Sequence, residues 1–173
     1  TLMRTLATLQ DADEGKIQFG EWNVQTHKME VRKVLGYLPQ EFGVYPKITA
    51  EKLLHHLAVL KGIIHYKSRK KLVETLLHRV NLYQVRRQRL GGFSGGMKRR
   101  FGIAQALLNQ PKLLIVDEPT AGLAPAERHR FFNLISEVSQ EAIVILSTHI
   151  VSDIEALCND MAIIHQGHIV ANG

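Results

Sequence analysis

The chain has 173 residues, of which 45% are hydrophobic and 22% are charged, the composition of an ordinary globular domain. Its single cysteine, Cys158, excludes an intrachain disulfide and suits a reducing compartment. No run of about 18 apolar residues occurs, so the sequence predicts no membrane-spanning helix. The net charge of +6 comes mainly from basic clusters without interleaved aromatic residues. Such clusters favour solvated faces or phosphate contacts over base readout, and we expect no nucleic-acid partner.

The first forty residues predict only short elements. Residues 1–9 have the apolar period of a helix and predict its closing part. Residues 16–24 alternate weakly about Gly20, which predicts two short strands. A short apolar run at 35–38 is closed by a proline and predicts another strand. The expected inward face of the first helix consists of Leu2, Leu6 and Leu9.

From Thr49 onward the apolar residues recur with a helical period. Thr49 is placed to cap the first helix, a second helix follows Ser68, and a third runs from about Ser94 to Asn109. The residues expected to face inward are Leu53, Leu54, Leu57, Leu60 and Ile64, then Leu72, Val73, Leu76, Leu77 and Val80, then Met97, Phe101, Ala104 and Leu108.

The last third of the chain returns to strands that alternate with helices. Residues 113–116 are continuously apolar, which is typical of a strand buried on both faces of a parallel sheet. We expect a helix near 126–139, a buried strand at 142–146, a short helix around 154–157 and two strands flanking Gly167. The two ends are therefore predicted to be α/β, with a helical insertion of roughly fifty residues between them.

The strand at 113–116 ends in two adjacent carboxylates, Asp117 and Glu118. Open α/β sheets place their ligand sites at the carboxyl ends of the strands. Two neighbouring acids repel each other, so a fold that keeps them together usually gives them a cation or a proton to handle. Such a pair suits phosphoryl transfer, with one acid holding Mg²⁺ and the other polarising water. The alternative is a solvated acidic turn.

Three further polar sites flank the predicted elements. Gln40 follows the strand at 35–38, and His149 follows the strand at 142–146. Strand-end groups of a parallel sheet converge on one edge, so we expect both side chains near Asp117. Ser94-Gly95-Gly96 opens a helix, where free backbone N–H groups and the positive helix end can bind an anion.

A serine hydrolase is an alternative hypothesis for the same residues. Residues 92–96 fit G-x-S-x-G, and Ser94, Asp117 and His149 follow the chain order of α/β-hydrolases. That mechanism needs a buried strand leading into the serine. The preceding segment, residues 86–91, carries three arginines, and unpaired arginines are too costly in a buried strand. We therefore disfavour this hypothesis.

Together these motifs resemble those of the ATP-binding cassette (ABC) ATPases, over nearly the whole chain. Each motif alone is weak, but five in the right order with a helical insertion are specific. The matching segments are Gln40 in YLPQ (the Q-loop), Phe93–Met97 (the signature sequence), Leu113–Pro119 (the Walker B strand), Thr120–Pro125 (the D-loop region) and His149 in LSTH (the switch histidine).

The resemblance implies a role for each residue of the sheet edge. Asp117 would hold Mg²⁺ through water, and Glu118 would be the general base. His149 would contact the γ-phosphate of ATP. Gln40 would sense the nucleotide and the membrane partner, and it is a second candidate for the metal site.

The resemblance also implies partners. Ser94, Gly95 and Gly96, followed by Met97, would bind the γ-phosphate of ATP held by a second cassette. ATP would then lie between two cassettes arranged head to tail, as a homodimer or heterodimer. Transmembrane permease subunits would be the other partners, which implies a cytoplasmic location at the inner face of the membrane.

The phosphate-binding loop of the family is missing from this sequence. G-x-x-x-x-G-K-[ST] occurs nowhere, and Thr1 is expected to be the last residue of that loop. We therefore interpret the chain as a fragment that binds ATP weakly and does not turn it over by itself.

A second departure lies before the helix at 126–139. Ala124 stands where the family usually has Asp, the residue that would cap this helix. The substitution raises the alternative of a degenerate or regulatory cassette that does not hydrolyse ATP.

The sequence thus predicts a RecA-like P-loop NTPase core, in which a parallel sheet is interrupted by an α-helical subdomain. We expect the limits 1–45 and 97–173 for the two parts of the core, and 46–96 for the helical subdomain. The expected function is that of the ATP-hydrolysing subunit of an ABC transporter, exporter-like and bacterial, which powers transport by nucleotide-driven dimerisation.

Overall fold

The computed structural model describes residues 2–41, 43 and 45–173. In chain order, its helices and strands are α1 (Leu2–Leu6), β1 (Gln18–Phe19), β2 (Trp22–Asn23), α2 (Lys28–Val34), β3 (Leu35–Leu38), α3 (Ala50–Leu60), α4 (Tyr66–Arg79), α5 (Gly95–Ala106), β4 (Leu113–Asp117), α6 (Pro125–Ser139), β5 (Ile143–Ser147), α7 (Val151–Leu157), β6 (Ala162–His165) and β7 (His168–Asn172). Two short 3-10 turns, Tyr83–Val85 and Leu90–Gly92, connect α4 to α5.

Among the described residues, the central sheet has three parallel strands in the order β3-β4-β5. The alternating side chains of β4 enter two different hydrophobic clusters. Leu114 and Val116 pack with the large helices on one side, whereas Leu113 and Ile115 pack with α1 and α2 on the other. A strand that is covered on both faces has a continuous apolar sequence, because both sets of alternating side chains are buried. The prediction that β4 is such a strand is confirmed.

Strand β5 corrects one expectation. It was expected to be buried, but it is an edge strand in the part of the sheet that the structure describes, and Ile143 is 60% exposed. An apolar run cannot by itself distinguish a central strand from an edge strand, because both can be rich in Ile and Val.

The helical middle of the chain has the expected helices. Thr49 caps α3 by accepting a hydrogen bond from the Lys52 backbone N–H at 3.4 Å. Helix α4 begins at Tyr66, slightly before the expected position, and α5 ends at Ala106 rather than Asn109. These three helices contact one another through the larger hydrophobic cluster. The limits 46–96 of the helical subdomain remain a prediction.

The expected inward faces are wrong at the ends of two helices. In α1 the buried side chains are Met3 and Thr5. Of the expected leucines, Leu6 is partly buried against the smaller cluster, whereas Leu2 and Leu9 are about half exposed. In the first helix of the middle segment the stripe ends early. Leu60 is 70% exposed and Ile64 is 76% exposed, since no neighbouring element in the described structure covers them.

Two short hairpins complete the fold. Strands β1 and β2 pair about Gly20 as expected, and β6 and β7 pair antiparallel about Gly167. The residues of β6 and β7 are all exposed. No helix in the described ranges is both long and apolar enough to cross a membrane.

Candidate functional site

The ends of β4 and β5 are tied together by one serine. Asp117 and Ser147 are register partners in the parallel pair. The Ser147 hydroxyl donates to Asp117 Oδ1 at 2.5 Å and accepts from the Glu118 N–H at 3.0 Å. The Glu118 N–H also approaches the Ser147 carbonyl at 3.2 Å. Ser147 therefore fixes both acids, and the sequence signal for it was its place directly before Thr148 and His149.

Glu118 is held in an unfavourable backbone conformation. Its φ is 46°, in the left-handed region that non-glycine residues seldom adopt. Such strain persists only where the surroundings over-determine the conformation, and it concentrates at functional sites. Here Ser147 binds the Glu118 N–H, and Arg99 Nη2 donates to the Glu118 carbonyl at 2.7 Å. The backbone of the proposed base is thus fixed on both sides.

The side chain of Glu118 meets His149. Their atoms Oε2 and Nδ1 are 2.8 Å apart, and the two residues form an ion pair when His149 is protonated. The two atoms are close but are not aligned as a hydrogen bond, and Glu118 Oε2 is buried without a hydrogen-bond donor among the described residues. The His149 side chain is 71% exposed. An exposed imidazole beside a half-buried carboxylate is free to contact a ligand from solvent.

Arg99 joins the loop at Gln40 to the acidic pair. Its guanidinium donates to the carbonyls of Pro39 at 3.2 Å, Gln40 at 2.8 Å and Glu118 at 2.7 Å. Burial lowers the pKa of Arg99, and the charges of Asp117 and Glu118 oppose that shift. The result is a fixed cation beside the two carboxylates.

Part of the basic cluster at 98–100 is not a solvated face, because Arg99 and Arg100 bind atoms within the chain. Arg99 is half-buried against backbone carbonyls. Arg100 is 8% exposed and donates to the carbonyls of Val80 and Asn81. Sequence reasoning missed both roles because the partners are backbone atoms about 20 to 60 residues away.

The Ser94-Gly95-Gly96 segment begins α5 as expected. Ser94 is the cap residue, and its hydroxyl accepts from the Met97 N–H at 3.2 Å. A Cβ at Gly95 would meet no atom within 4 Å, so a ligand can approach this backbone closely. A Cβ at Gly96 would lie 2.9 Å from Glu127 Oε2. A side chain at position 96 would therefore force the Glu127 side chain of α6 to move.

One cavity connects these elements. It has a volume of about 210 Å³ and lies where the loop at 40, the start of α5 and the loop after β4 meet. Its lining residues are Gln40, Gly95, Lys98, Arg99, Ala121, Gly122 and Leu123. A cationic wall with exposed backbone amides suits an anionic ligand such as a phosphate.

The structure brings together most of the residues singled out from the sequence. Asp117, Glu118 and His149 are in contact directly or through Ser147, and Gln40 joins them through Arg99. Ser94, Gly96 and Met97 make their contacts within α5 and with the packed core, and Gly95 lines the cavity. Thr1 lies outside the described residues.

The oxygen donors at this edge fit Mg²⁺. The carboxylates of Asp117 and Glu118 and the Ser147 hydroxyl are the hard ligands that Mg²⁺ prefers. Within the described ranges no group of three or more His, Cys, Asp or Glu residues could hold a metal. Mg²⁺ usually takes one or two carboxylates together with substrate phosphates, so a larger cluster is not needed. Gln40 contacts Arg99 through its backbone, and its role as a metal ligand remains a prediction.

A Ser94–His149–Asp117 triad gains no support. The partner of His149 is Glu118, and the partner of Asp117 is Ser147. The Ser94 hydroxyl accepts from its own helix, and a 3-10 turn rather than a strand precedes it. The geometry that activates a nucleophilic serine is therefore absent among the described contacts.

The chain is similar in sequence to ATP-binding proteins of transporters. The chain is 36% identical over 174 residues to the uncharacterized ABC transporter ATP-binding protein YxlF of Bacillus subtilis (strain 168), covering 100% of the chain and 57% of that protein. It is 36% identical over 173 residues to the bacitracin transport ATP-binding protein BcrA of Bacillus licheniformis, covering 98% of the chain and 55% of that protein. The chain spans just over half the length of these relatives.

A solved structure shares the fold. It is a dimeric ATP-binding cassette in a post-hydrolysis state, bound to ADP and Pi, and it superposes with a TM-score of 0.87 at 19% identity. The alignment covers 99% of the chain and 78% of that structure. The predicted fold, a P-loop NTPase core with a parallel sheet, is thereby confirmed. Because residues 1–121 match the family model described as ABC transporter, the chain belongs to the ABC transporter family.

Proposed function

We propose that this chain is part of the ATP-binding and ATP-hydrolysing subunit of an ABC transporter. The observation that carries the proposal is the convergence of Asp117, Glu118 and His149 at one edge of a parallel sheet, with Gln40 joined to them by Arg99. The names of the relatives, which are ATP-binding proteins of transporters, support the same function. The name of BcrA, a bacitracin transport ATP-binding protein of Bacillus licheniformis, supports a subunit of a bacterial transporter, which we propose to be exporter-like.

The proposed chemistry is hydrolysis of the γ-phosphate of ATP. Glu118 would accept a proton from the attacking water, and His149, exposed beside it, would contact the γ-phosphate. Asp117, oriented by Ser147, would hold Mg²⁺ through water. When bound, Mg²⁺ would neutralise charge on the β- and γ-phosphates. Gln40, which lines the neighbouring cavity, would sense the nucleotide.

We further propose that the working unit is a pair of cassettes. The backbone at Gly95 is open to solvent, so the amide-rich start of α5 can bind a phosphate that another copy holds. The related structure described as dimeric supports this arrangement. Ser94 and Gly96 would shape this surface, with Met97 behind them and Thr1 at the phosphates of its own cassette. Transmembrane permease subunits would be further partners, at the inner face of the membrane.

The function is tested by ATP hydrolysis in the natural protein that contains this chain. We expect Glu118→Gln to lower kcat about 100-fold or more with little change in nucleotide affinity, because it removes the base but keeps the shape. Glu14→Gln, an exposed acid in a loop, is the matched control and should not change kcat. Equal turnover by Glu118→Gln and the parent would contradict the proposal.

Residues 1–173 alone are proposed to bind ATP weakly and not to hydrolyse it. The sequence contains no G-x-x-x-x-G-K-[ST] loop, whose lysine and backbone amides hold the phosphates in P-loop proteins. Isothermal titration calorimetry checks this expectation. A micromolar dissociation constant for ATP would refute it.

A second candidate function is that of a regulatory cassette without hydrolysis. Ala124 favours it, because α6 begins at Pro125 and its cap position makes no side-chain hydrogen bond. Undetectable turnover in the natural protein, together with retained nucleotide binding, would support this candidate over the first.

A further inference from the structure

The carboxylate of Asp153 is fully buried in α7 and fully paired. Its exposure is 0%. Arg128 Nε donates to Oδ1 at 2.6 Å, and Arg128 Nη2 also contacts Oδ1. The Thr148 hydroxyl donates to Oδ2 at 3.1 Å, and the Thr120 hydroxyl donates to the same oxygen. A buried charge is costly unless it is paired and hydrogen-bonded, and here one cation and two hydroxyls satisfy it.

These partners come from the two loops that carry the proposed catalytic groups. Thr120 follows Glu118 by two residues in the loop after β4. Thr148 directly precedes His149 in the loop after β5. One oxygen atom of Asp153 thus binds both loops at once, and Arg128 anchors the same carboxylate to α6.

Both catalytic groups depend on their loops for position. Glu118 has a left-handed backbone that only surrounding contacts can maintain. The His149 side chain is 71% exposed, and its ion pair with Glu118 spans 2.8 Å. A loop displacement of about 1 Å would separate these atoms, and misplacement on that scale can cost about 100-fold in rate.

We infer that Asp153 is a positioning residue that sets the distance between Glu118 and His149 by holding Thr120 and Thr148 on one carboxylate oxygen. Asp153 does not itself touch the reacting atoms. The inference deepens the proposed function and rests on it for its catalytic consequence. A merely structural role, in which Asp153 only fixes α7 on α6 through Arg128, is the competing explanation.

The first test uses the kinetics of ATP hydrolysis by the natural protein. We expect Asp153→Asn to lower kcat by about 10-fold or more while KM for ATP stays within about threefold, because alignment rather than binding is lost. Glu155→Gln is the matched control, an exposed acid on the same helix, and should behave as the parent. A folded Asp153→Asn protein with the parent's kcat would overturn the inference.

The second test separates positioning from the packing of α7. Thr148→Val removes the hydroxyl that donates to Asp153 and accepts from the Ile150 N–H at 3.0 Å, but it leaves the Arg128 ion pair in place. We expect it to lower kcat in the same way, whereas Thr148→Ser keeps a hydroxyl and should restore the parent's value. This pair also decides the question if Asp153→Asn does not fold. Equal kcat for the Val and Ser variants would favour the merely structural role.

A readout that does not depend on turnover completes the design. In the natural protein labelled with ¹⁵N-histidine, the His149 ring signal, assigned with His149→Gln, should move when Glu118→Gln removes its partner. We expect Asp153→Asn and Thr148→Val to move the signal in the same direction, and Glu155→Gln to leave it unchanged. If these shifts occur but neither the parent nor any variant hydrolyses ATP, the proposed function is contradicted and the positioning role is still supported. An unmoved His149 signal in the folded variants would overturn the inference.

Discussion

The strand ends at Asp117 and Ser147 and the start of α5 at Ser94 are built in different ways. The strand ends form a closed set of contacts, in which Ser147 and Arg99 fix the backbone and side chains of the acidic pair. The start of α5 has one internal cap bond and an open glycine. Two neighbouring carboxylates repel each other and are stabilised by partners within the chain. The start of a helix can attract an anion with its free backbone amides alone. The polar groups of the strand ends are therefore satisfied by partners within the chain. The start of α5 instead leaves backbone amides open to a ligand from outside the chain.

Arg99→Met should have the largest effect on the closed region. The change removes charge-assisted hydrogen bonds to three carbonyls, and each such bond contributes about 1.5–3 kcal/mol. These bonds are not additive, so we expect the free energy of unfolding to fall by about 3 kcal/mol in urea titrations. Arg87→Met, at an exposed position, is the control and should change it by less than about 0.5 kcal/mol. Equal midpoints for the two variants would show that Arg99 does not hold these loops.

Ser147→Ala should have the second-largest effect on the free energy of unfolding. The alanine leaves Asp117 Oδ1 without its donor and removes one of the two acceptors of the Glu118 N–H. We expect a loss of about 2 kcal/mol in the free energy of unfolding, measured by urea denaturation. The control Ser139→Ala removes an exposed hydroxyl that only donates within α6, and its loss should be much smaller. A similar small loss for both would mean that the strand ends are not closed by this serine.

Gly96→Ala and Gly95→Ala sharpen the contrast within the open region. A Cβ at position 96 would press on Glu127, whose carboxylate is 3.1 Å from Arg100 Nε. We expect Gly96→Ala to lower the free energy of unfolding by about 1 kcal/mol relative to Gly95→Ala, because the Glu127 side chain must shift to make room. Gly95→Ala meets no neighbour and should leave it nearly unchanged. Calorimetric melting of both variants checks the order, and a larger loss at position 95 would contradict it.

Ala124→Asp should have a small effect, and it should raise rather than lower the free energy of unfolding. The position lies before Pro125 at the start of α6 and has no side-chain cap. An Asp side chain can accept from a free N–H of the first turn, which contributes about 1 kcal/mol. We expect a higher melting temperature in calorimetry, whereas Ala124→Leu should not raise it. No difference between the two variants would argue that α6 does not need a cap.

The elements with strong periodicity could be predicted from the sequence. The apolar run of β4 and the capped stripe of α3 specify both their type and most of their buried faces. The capped stripe of α5 specifies its type, but this helix also buries Arg100, Ile103 and Ala106, which lie outside the expected stripe. Helix α2 was missed, because it buries only Val31 and its cap residue makes no side-chain hydrogen bond. Local patterns carry no signal where so little of an element is buried.

The candidate site also contains residues that the sequence predicts and residues that it does not. Asp117, Glu118 and His149 could be predicted because strand ends carry chemistry in parallel sheets. The residues that hold them could not. Arg99 binds carbonyls 19 to 60 residues away, and Asp153 binds hydroxyls from two separate loops. Only the tertiary fold brings such partners together, so no spacing along the chain predicts them.

The backbone of Glu118 has a consequence for protein engineering. Glycine adopts its left-handed φ without penalty, whereas other residues cost about 1–2 kcal/mol there. A search for heat-resistant variants of this chain would therefore tend to select glycine at position 118 and discard its carboxylate. Ranking such variants by thermal resistance alone would enrich inert proteins, so any such screen needs an activity measurement beside it.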